Sequence, residues 1–355
     1  MTTENKLCYS EALKALDWGT ETVFVIGHKA PDADTVTAAI AYADLMQNLG
    51  FNAEARITAK PNNETKFIAE LFQFQIPPIL EDATGKTLIL VDHSEYSQAI
   101  NGAKDARILQ IIDHHGIGDV MESKRIFAKI LPVGSTCTII FSSYVEYGIP
   151  LSNTMAKVLL AGILSDTKNL KKKTTTELDR VVYKALAEQL KISSENLELV
   201  YSEMEKAAKN FDGMTDEEIF NSDAKDYVIG GHKFRLGSLS YEDKKSIDEF
   251  LNRMLAVMPK ILSDSANEMI FCNIGCHKHS YILYFTEQAK RIAEAAYGKT
   301  QKAGIIPVEH RLNRKVDIIP AFTQAFATRP EKRPAVKAIP QSHAKRTSSA
   351  QSQRE

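Results

Sequence analysis

VFVIGHKAPDADTVTAAIAYADLM, residues 23–46, passes from a short apolar run to an Ala- and Thr-rich run at helical spacing. Val23 to Ile26, closed by Gly27, reads as a buried strand, and the second run as the helix that follows it. Where one gives way to the other stand His28, Pro31, Asp32 and Asp34. In open α/β sheets such a junction is where ligands bind. An imidazole and two carboxylates packed this closely repel one another, or waste their burial, unless a cation joins them. A divalent metal meets that need and a pair meets it better; Mn²⁺, Fe²⁺ or Zn²⁺ suits mixed imidazole and carboxylate ligands. On the H-x-x-x-D-x-D spacing alone, a loop of solvated acids with one stray histidine fits equally well, because short motifs match by chance.

The same arrangement recurs downstream. Thr87 to Val91 (TLILV) runs into Asp92-His93-Ser94-Glu95, and Ile108 to Ile112 (ILQII) runs into Asp113-His114-His115. Three apolar strands that each end in Asp or His, placed in one parallel sheet, converge at its C-terminal edge, which solvated charges would have no reason to do. GSTCTII (Gly134 to Ile140) reads as a small-residue turn entering a helix, whose free N–H groups can meet an anion. In Leu159 to Asp179 an apolar helix ends near Ser165-Asp166 and supplies one more acid. Lys171 to Lys173 then forms a positive run, ordinarily a solvated face but here near enough to the acids to meet a phosphate.

Bulk properties bound the rest. The chain has 355 residues, enough for two domains, and its 44% hydrophobic and 25% charged residues are ordinary for a globular protein. A net charge of −1 makes no electrostatic case for a nucleic-acid partner. No apolar run is long enough to span a bilayer, and the N-terminus lacks a signal-peptide core. Cys8, Cys137, Cys272 and Cys276 make no disulfide framework, so a reducing, cytoplasmic setting is expected.

Residues 1–20 read as a short leading helix with Leu13, Leu16 and Trp18 against an apolar edge. Phe51 to Ile57 reads as a second strand. An Asn pair in KPNNET caps a helix that starts near Glu64 and presents Phe67, Ile68, Leu71 and Phe72. In the second half, Thr215 and Glu218 form a capping box, Gly230-Gly231 marks a hairpin, and Ser246 to Met258 is an amphipathic helix. MIFCNIGCHKHSYILYF reads as strand–turn–strand. Its Cys272, Cys276, His277 and His279 do not have a standard structural zinc spacing, so a hairpin tip is the expectation. From about Thr328 the chain is Pro-, Ser- and Lys/Arg-rich, and 329–355 is expected to be a disordered basic tail.

HKAPDAD, VDHSE, IDHH, GSTCT and ILSDT…TTTELD, in this order, resemble the DHH phosphoesterase superfamily, and within it the manganese-dependent (family II) inorganic pyrophosphatases. PNNETKF (Pro61 to Phe67), the Asp223-Ala224-Lys225 segment and HRLNRKVDIIPAF near the C-terminus are similar to further segments of that family. The resemblance implies an α/β protein of two domains. A DHH domain (1–195) carries a doubly wound, mostly parallel sheet; a linker (196–210) joins it to a smaller substrate-clamping domain (211–328), with the active site in the cleft between them. It implies two Mn²⁺ per subunit, with Co²⁺ or Mg²⁺ as alternatives, and Mg²⁺ arriving with the substrate. His28, Asp32, Asp92 and Asp166 would hold one ion and Asp34, Asp92, His114 and Asp166 the other. Asp34, Asp92 and His115 would be the catalytic group, and His115, Lys225, Arg314 and Lys315 would bind pyrophosphate. The implied reaction is attack on phosphorus by a metal-bridging hydroxide, with domain closure over the substrate, in a homodimer that has no nucleic-acid or membrane partner.

Three departures stand out: Asn313 where the family has Ser, expected to be tolerated because Asn still donates a hydrogen bond; Gly116 where some members carry Arg; and Lys171 to Lys173 in place of a more apolar, Pro-containing stretch. Two other readings share these motifs: an exopolyphosphatase or other DHH phosphodiesterase, and a non-catalytic regulatory protein on the same fold. Gly230-Gly231-His232 matches the nuclease GGGH-type motif poorly.

Overall fold

The computed structural model describes residues 9–299 and 302–327; the stretch expected as a basic tail lies outside them. Helix α1 (Tyr9–Lys14) leads in, with Leu13 buried and Trp18 stacked on Phe51 at 3.9 Å. Strands β1 (Val23–Ile26), β2 (Ala53–Arg56), β3 (Thr87–Val91), β4 (Arg107–Asp113) and β5 (Phe127–Ile130) form a parallel sheet in the order β2-β1-β3-β4-β5. From β1 the chain steps out to β2 and then crosses back to β3 on the other side of β1. That reversal opens a crevice at the carboxyl ends of β1 and β3.

The strands alternate faces with period two. Val23, Val25, Ile89 and Val91 pack into the core shared with the helices, while Ile26, Leu88 and Leu90 face the other way. The first core is closed by α2 (Ala33–Asn48), α3 (Asn63–Phe72), α4 (Thr136–Tyr147), α5 (Asn153–Asp166), α6 (Glu177–Leu190) and α7 (Ser194–Ala208). The second face is covered by connecting segments that contribute Ala83, Ala99, Ile100 and Ala103. Leu71, expected on the buried face of α3, is 44% exposed. The sequence pattern does not announce β5, because none of its four residues is fully buried and no apolar run marks it.

The second half builds a mixed sheet in the order β10-β9-β8-β7-β6. Its strands are β6 (Ala224–Ile229), β7 (His232–Ser240), β8 (Met269–Cys276), β9 (His279–Tyr284) and β10 (Ile305–Val308). Gly230 and Gly231, at φ +58° and +79°, make the β6–β7 turn with the positive angles that a tight hairpin needs. α8 (Asp216–Asn221) and α9 (Ile247–Ser263) cover one face; α10 (Glu287–Tyr297) and α11 (Ile319–Ala327) cover the other. α9 runs past the expected end at Met258, through Pro259. Proline removes one helical hydrogen bond, and burial of Met254, Met258 and Ile261 offsets that loss.

Candidate metal centre

The ends of β1, β3 and β4 and the last residue of α5 bring the predicted acids and imidazoles together. Asp32 is the N-cap of α2 and accepts from Thr35 N at 3.0 Å, so its position is set by the helix start. His28 Nε2 lies 3.5 Å from Asp32 Oδ2 and 3.4 Å from Asp92 Oδ2. His114 Nε2 lies 3.3 Å from Asp92 Oδ1 and 3.2 Å from Asp166 Oδ2. Three sets of atoms are close enough to grip a cation: His28/Asp32/Asp92, Asp34/His114/Asp166 and Asp92/His114/His115. Asp92 belongs to two of them; Asp166 falls in the second only.

Asp92 follows β3 with φ +64°, a left-handed angle that Asp tolerates better than most residues. That turn aims the carboxylate back over the sheet edge, where Thr35 Oγ1 donates to it at 2.6 Å and Thr136 Oγ1 at 3.1 Å. His114 Nδ1 is 2.9 Å from the Val133 carbonyl and donates to it, which leaves Nε2 as the lone-pair atom. Both His28 Nε2 and His114 Nε2 are buried without a hydrogen-bond partner. Two orphaned imidazole nitrogens among buried carboxylates fit a pair of divalent ions, and their chemistry suits Mn²⁺.

Without metal, protons fill the same need. Burial alone would lower the pKa of His28, but Asp32 and Asp92 outweigh it and push it up to about 9. Burial is outweighed at His114 too, where Asp92, Asp166 and Asp34 raise it to about 10. Burial, with the charges of Asp92 and Asp166, pushes Asp34 up to about 7. His93 behaves differently: burial lowers it to about 4, and its Nδ1 lies 3.0 Å from the Val91 carbonyl. It packs edge-on to His28 as a neutral ring and joins none of the three sets.

The second sheet closes the cleft, about 510 Å³, with Lys225 on β6 and Arg314 and Lys315 in a single π-helical turn, Arg314–Ile318. Arg314 is held by Asp223, through Nη2 to Oδ1 at 2.7 Å and Nη1 to the backbone carbonyl at 3.0 Å. Asn313 acts as an acceptor rather than the expected donor: its Oδ1 takes Lys315 N at 2.9 Å and Val316 N at 3.4 Å, and so caps the turn that presents both cations.

Other expectations change on contact with the structure. The N–H groups of the GSTCT turn meet an anion, but it is Asp34 of the same chain. Thr136 N donates to its Oδ2 at 2.8 Å, and Ser135 Oγ donates to Oδ1 at 2.6 Å. The turn positions a carboxylate, with the Thr136 and Cys137 amides both directed at Asp34. Asp179 of TTTELD pins the turn from behind, accepting from Gly134 N at 2.8 Å and Thr138 Oγ1 at 2.6 Å. Cys272 and Cys276 are buried in β8, and the Cys/His quartet forms no ligand set among the described residues.

Two residues of the site, Asp113 and Glu64, were given no role by the sequence reading, and the Lys171–Lys173 run was not resolved to one lysine. Asp113, fully buried, accepts from His115 N and lies 3.0 Å from His115 Nδ1, so it sets the ring's orientation. Glu64 lines the cleft, accepts from Ser165 Oγ at 2.9 Å, and is pushed up to about 7 by burial and by Asp32 and Asp166. An acid in a first helical turn is so common that nothing in the sequence marks it. Lys172 binds Asp166 directly. It follows Lys168, Asn169 and Leu170, consecutive residues at φ +51°, +51° and +64°, a conformation that Asn tolerates but that costs Lys and Leu roughly 1–2 kcal/mol each.

Comparison with known proteins covers both halves of the chain. The family model for the DHH family, N-terminal domain, matches residues 22–163, and that for the DHHA2 domain matches 202–325. A manganese-dependent inorganic pyrophosphatase of Methanothrix thermoacetophila is 37% identical over 310 residues, covering 86% of this chain and 99% of that protein. The chain belongs to the manganese-dependent inorganic pyrophosphatase family. The Bacillus subtilis family member is 30% identical over 311 residues, with the same coverage of both chains. In three dimensions the chain is similar to a Methanococcus jannaschii protein assigned to the family II inorganic pyrophosphatases, with a TM-score of 0.73 at 29% identity over 86% of this chain and 99% of that one. No described helix is long and apolar enough to cross a membrane.

Proposed function

We propose that this chain hydrolyses inorganic pyrophosphate to two phosphates in the cleft between its two sheets. The observation that carries the reading is one cavity lined by His28, Asp92, His114 and Asp166 from one side and by Lys225, Arg314 and Lys315 from the other. His28, Asp32, Asp34, Asp92, His114 and Asp166 are the residues to hold two Mn²⁺, with Asp92 shared. Such ions supply Lewis-acid stabilisation of phosphoryl charge and acidify water toward neutrality. Asp113 holds His115 so that its remaining ring nitrogen serves a substrate oxygen. Lys225, Arg314 and Lys315 neutralise charge on the transferred phosphoryl group, Arg314 as a pre-fixed fork. Because acids and cations come from different halves, 1–195 and 211–328, substrate that binds both draws the cleft shut and excludes water. Assembly as a homodimer, implied by the resemblance, and the cytoplasmic setting expected from the cysteines belong to this reading.

The test is phosphate release from pyrophosphate, tripolyphosphate and a dinucleotide by metal-stripped protein, with Mn²⁺, Co²⁺ or Mg²⁺ added back. Pyrophosphate with Mn²⁺ should be fastest. Faster tripolyphosphate turnover would make the chain an exopolyphosphatase, and no turnover of any substrate would make it a non-catalytic relative.

Metal uptake should depend on pH in a fixed direction. With pKa values raised above the ordinary 6.5 to about 9 and about 10, His28 and His114 stabilise the metal-free fold fully below pH 6.5; that stabilisation is lost as pH rises through the raised values. A divalent ion must displace those protons. Mn²⁺ affinity should therefore rise by about tenfold per pH unit for each proton displaced. Calorimetry in buffers of different ionisation heat reads the released protons. Proton-free uptake at neutral pH would show that these imidazoles are not the ligands.

A further inference from the structure

Of the Lys171–Lys173 run, one residue enters the cleft. Lys171 turns away and pairs with Glu198. Lys172 lines the cavity, with its ammonium on Asp166 Oδ1, while the other oxygen of Asp166 faces His114. What separates the two lysines is the left-handed turn at 168–170. Lys and Leu do not favour that conformation, so the surroundings must impose it. Asn169 Nδ2 donates to Glu198 at 2.6 Å, and Tyr183 Oη donates to Asn169 Oδ1 at 2.8 Å. Lys172 N closes on the Thr167 carbonyl at 2.9 Å, and Leu170 N on Thr167 Oγ1 at 3.0 Å. The turn is held from both ends, and its result is a lysine delivered beside a candidate metal ligand.

An ammonium carries three donors, and Asp166 takes one. Lys315 faces it from the other half: burial first, then Lys225 and Lys172, lower the pKa of Lys315. Cations that repel one another across a cavity are relieved by an anion placed between them.

We propose that Lys172 is a further pyrophosphate-binding cation, supplied by the half of the molecule that carries the carboxylates. It completes a ring whose other members, Lys225, Arg314 and Lys315, come from the opposite half. The proposal rests on the pyrophosphatase reading for the identity of the anion.

The test uses the full-length, Mn²⁺-loaded protein and imidodiphosphate, the non-hydrolysable analogue, with affinity read by calorimetry. Lys172→Met should weaken imidodiphosphate by about 10- to 100-fold, as expected for loss of a charged hydrogen bond, and should raise KM for pyrophosphate more than it lowers kcat. Lys172→Arg should restore most of the affinity. Lys172→Gln keeps a donor to Asp166 without the charge and should lose affinity as the Met variant does. Titration with Mn²⁺ alone should show affinity at least equal to wild type in all three. Unchanged imidodiphosphate binding in the Met and Gln variants would overturn the proposal. So would a loss of Mn²⁺ affinity matching the loss of analogue affinity, because Lys172 would then only position Asp166. Wild-type turnover of pyrophosphate tests the underlying reading separately: a chain that cannot hydrolyse pyrophosphate, yet loses imidodiphosphate on Lys172→Met, would keep this site and lose that function.

Discussion

Asp92→Asn is expected to leave a folded protein that scarcely releases phosphate from pyrophosphate. Asp92 is the carboxylate common to the His28 set and the His114/His115 set, so its charge serves both sides of the centre. Partners outside the ligand shell are commonly worth 10–100-fold, so removing a shared ligand charge should lower kcat/KM by on the order of 10³-fold or more. The fold should survive because Asn also tolerates the left-handed angle at this position, keeps an oxygen for one of the Thr35 and Thr136 hydroxyls, and offers the other an amide N–H to accept. Asp92→Ala is the contrasting variant. It has no side-chain acceptor for those two buried hydroxyls, and Ala at positive φ is strained. It should therefore melt below Asp92→Asn, by about 2–4 °C for each kcal/mol lost. Steady-state kinetics with saturating Mn²⁺ and a thermal melt measure both effects. Near-normal activity in Asp92→Asn would remove the shared-ligand role.

The second large effect should come from Arg314→Lys. Charge is conserved, but the planar fork is not. Asp223 holds the guanidinium through two contacts, and a lysine can occupy that site or reach substrate, not both. Loss of one fixed donor to a transition-state oxyanion is worth roughly 10²–10³ in kcat. The Lys variant should therefore fall by about that factor, with Mn²⁺ binding unchanged because Arg314 belongs to no ligand set. If Arg314→Lys kept wild-type kcat/KM, the clamp would have to be assigned to Lys225 and Lys315 alone.

Most of the metal-holding half was legible because its chemistry is written locally. His28, Asp92 and His114 each follow an apolar strand within one or two residues, and parallel strands place their ends on one edge whatever the details of packing. The same logic foretold Asp166 at the end of α5 and the hairpin at Gly230-Gly231. β5 was not legible because an edge strand with half-exposed residues carries no apolar run. Glu64 and Asp113 were not, because an acid in a first helical turn or at a strand end reads alike whether it is solvated or buried in a site.

The amino-acid order by itself determined the strand–acid repeats and the residue types able to hold metal and phosphate, since each depends on neighbours a few positions apart; the two-part α/β plan came from the order of the motifs and their family resemblance. Only the tertiary structure decided that Asp92 falls in two of the close-packed sets and Asp166 in one, that the Thr136 and Cys137 amides meet Asp34, that Asn313 accepts rather than donates, and that Lys172 rather than Lys171 enters the cleft. Those outcomes turn on which way a side chain points and which distant group it meets. Both are set by packing between segments far apart along the chain, and no local pattern encodes them.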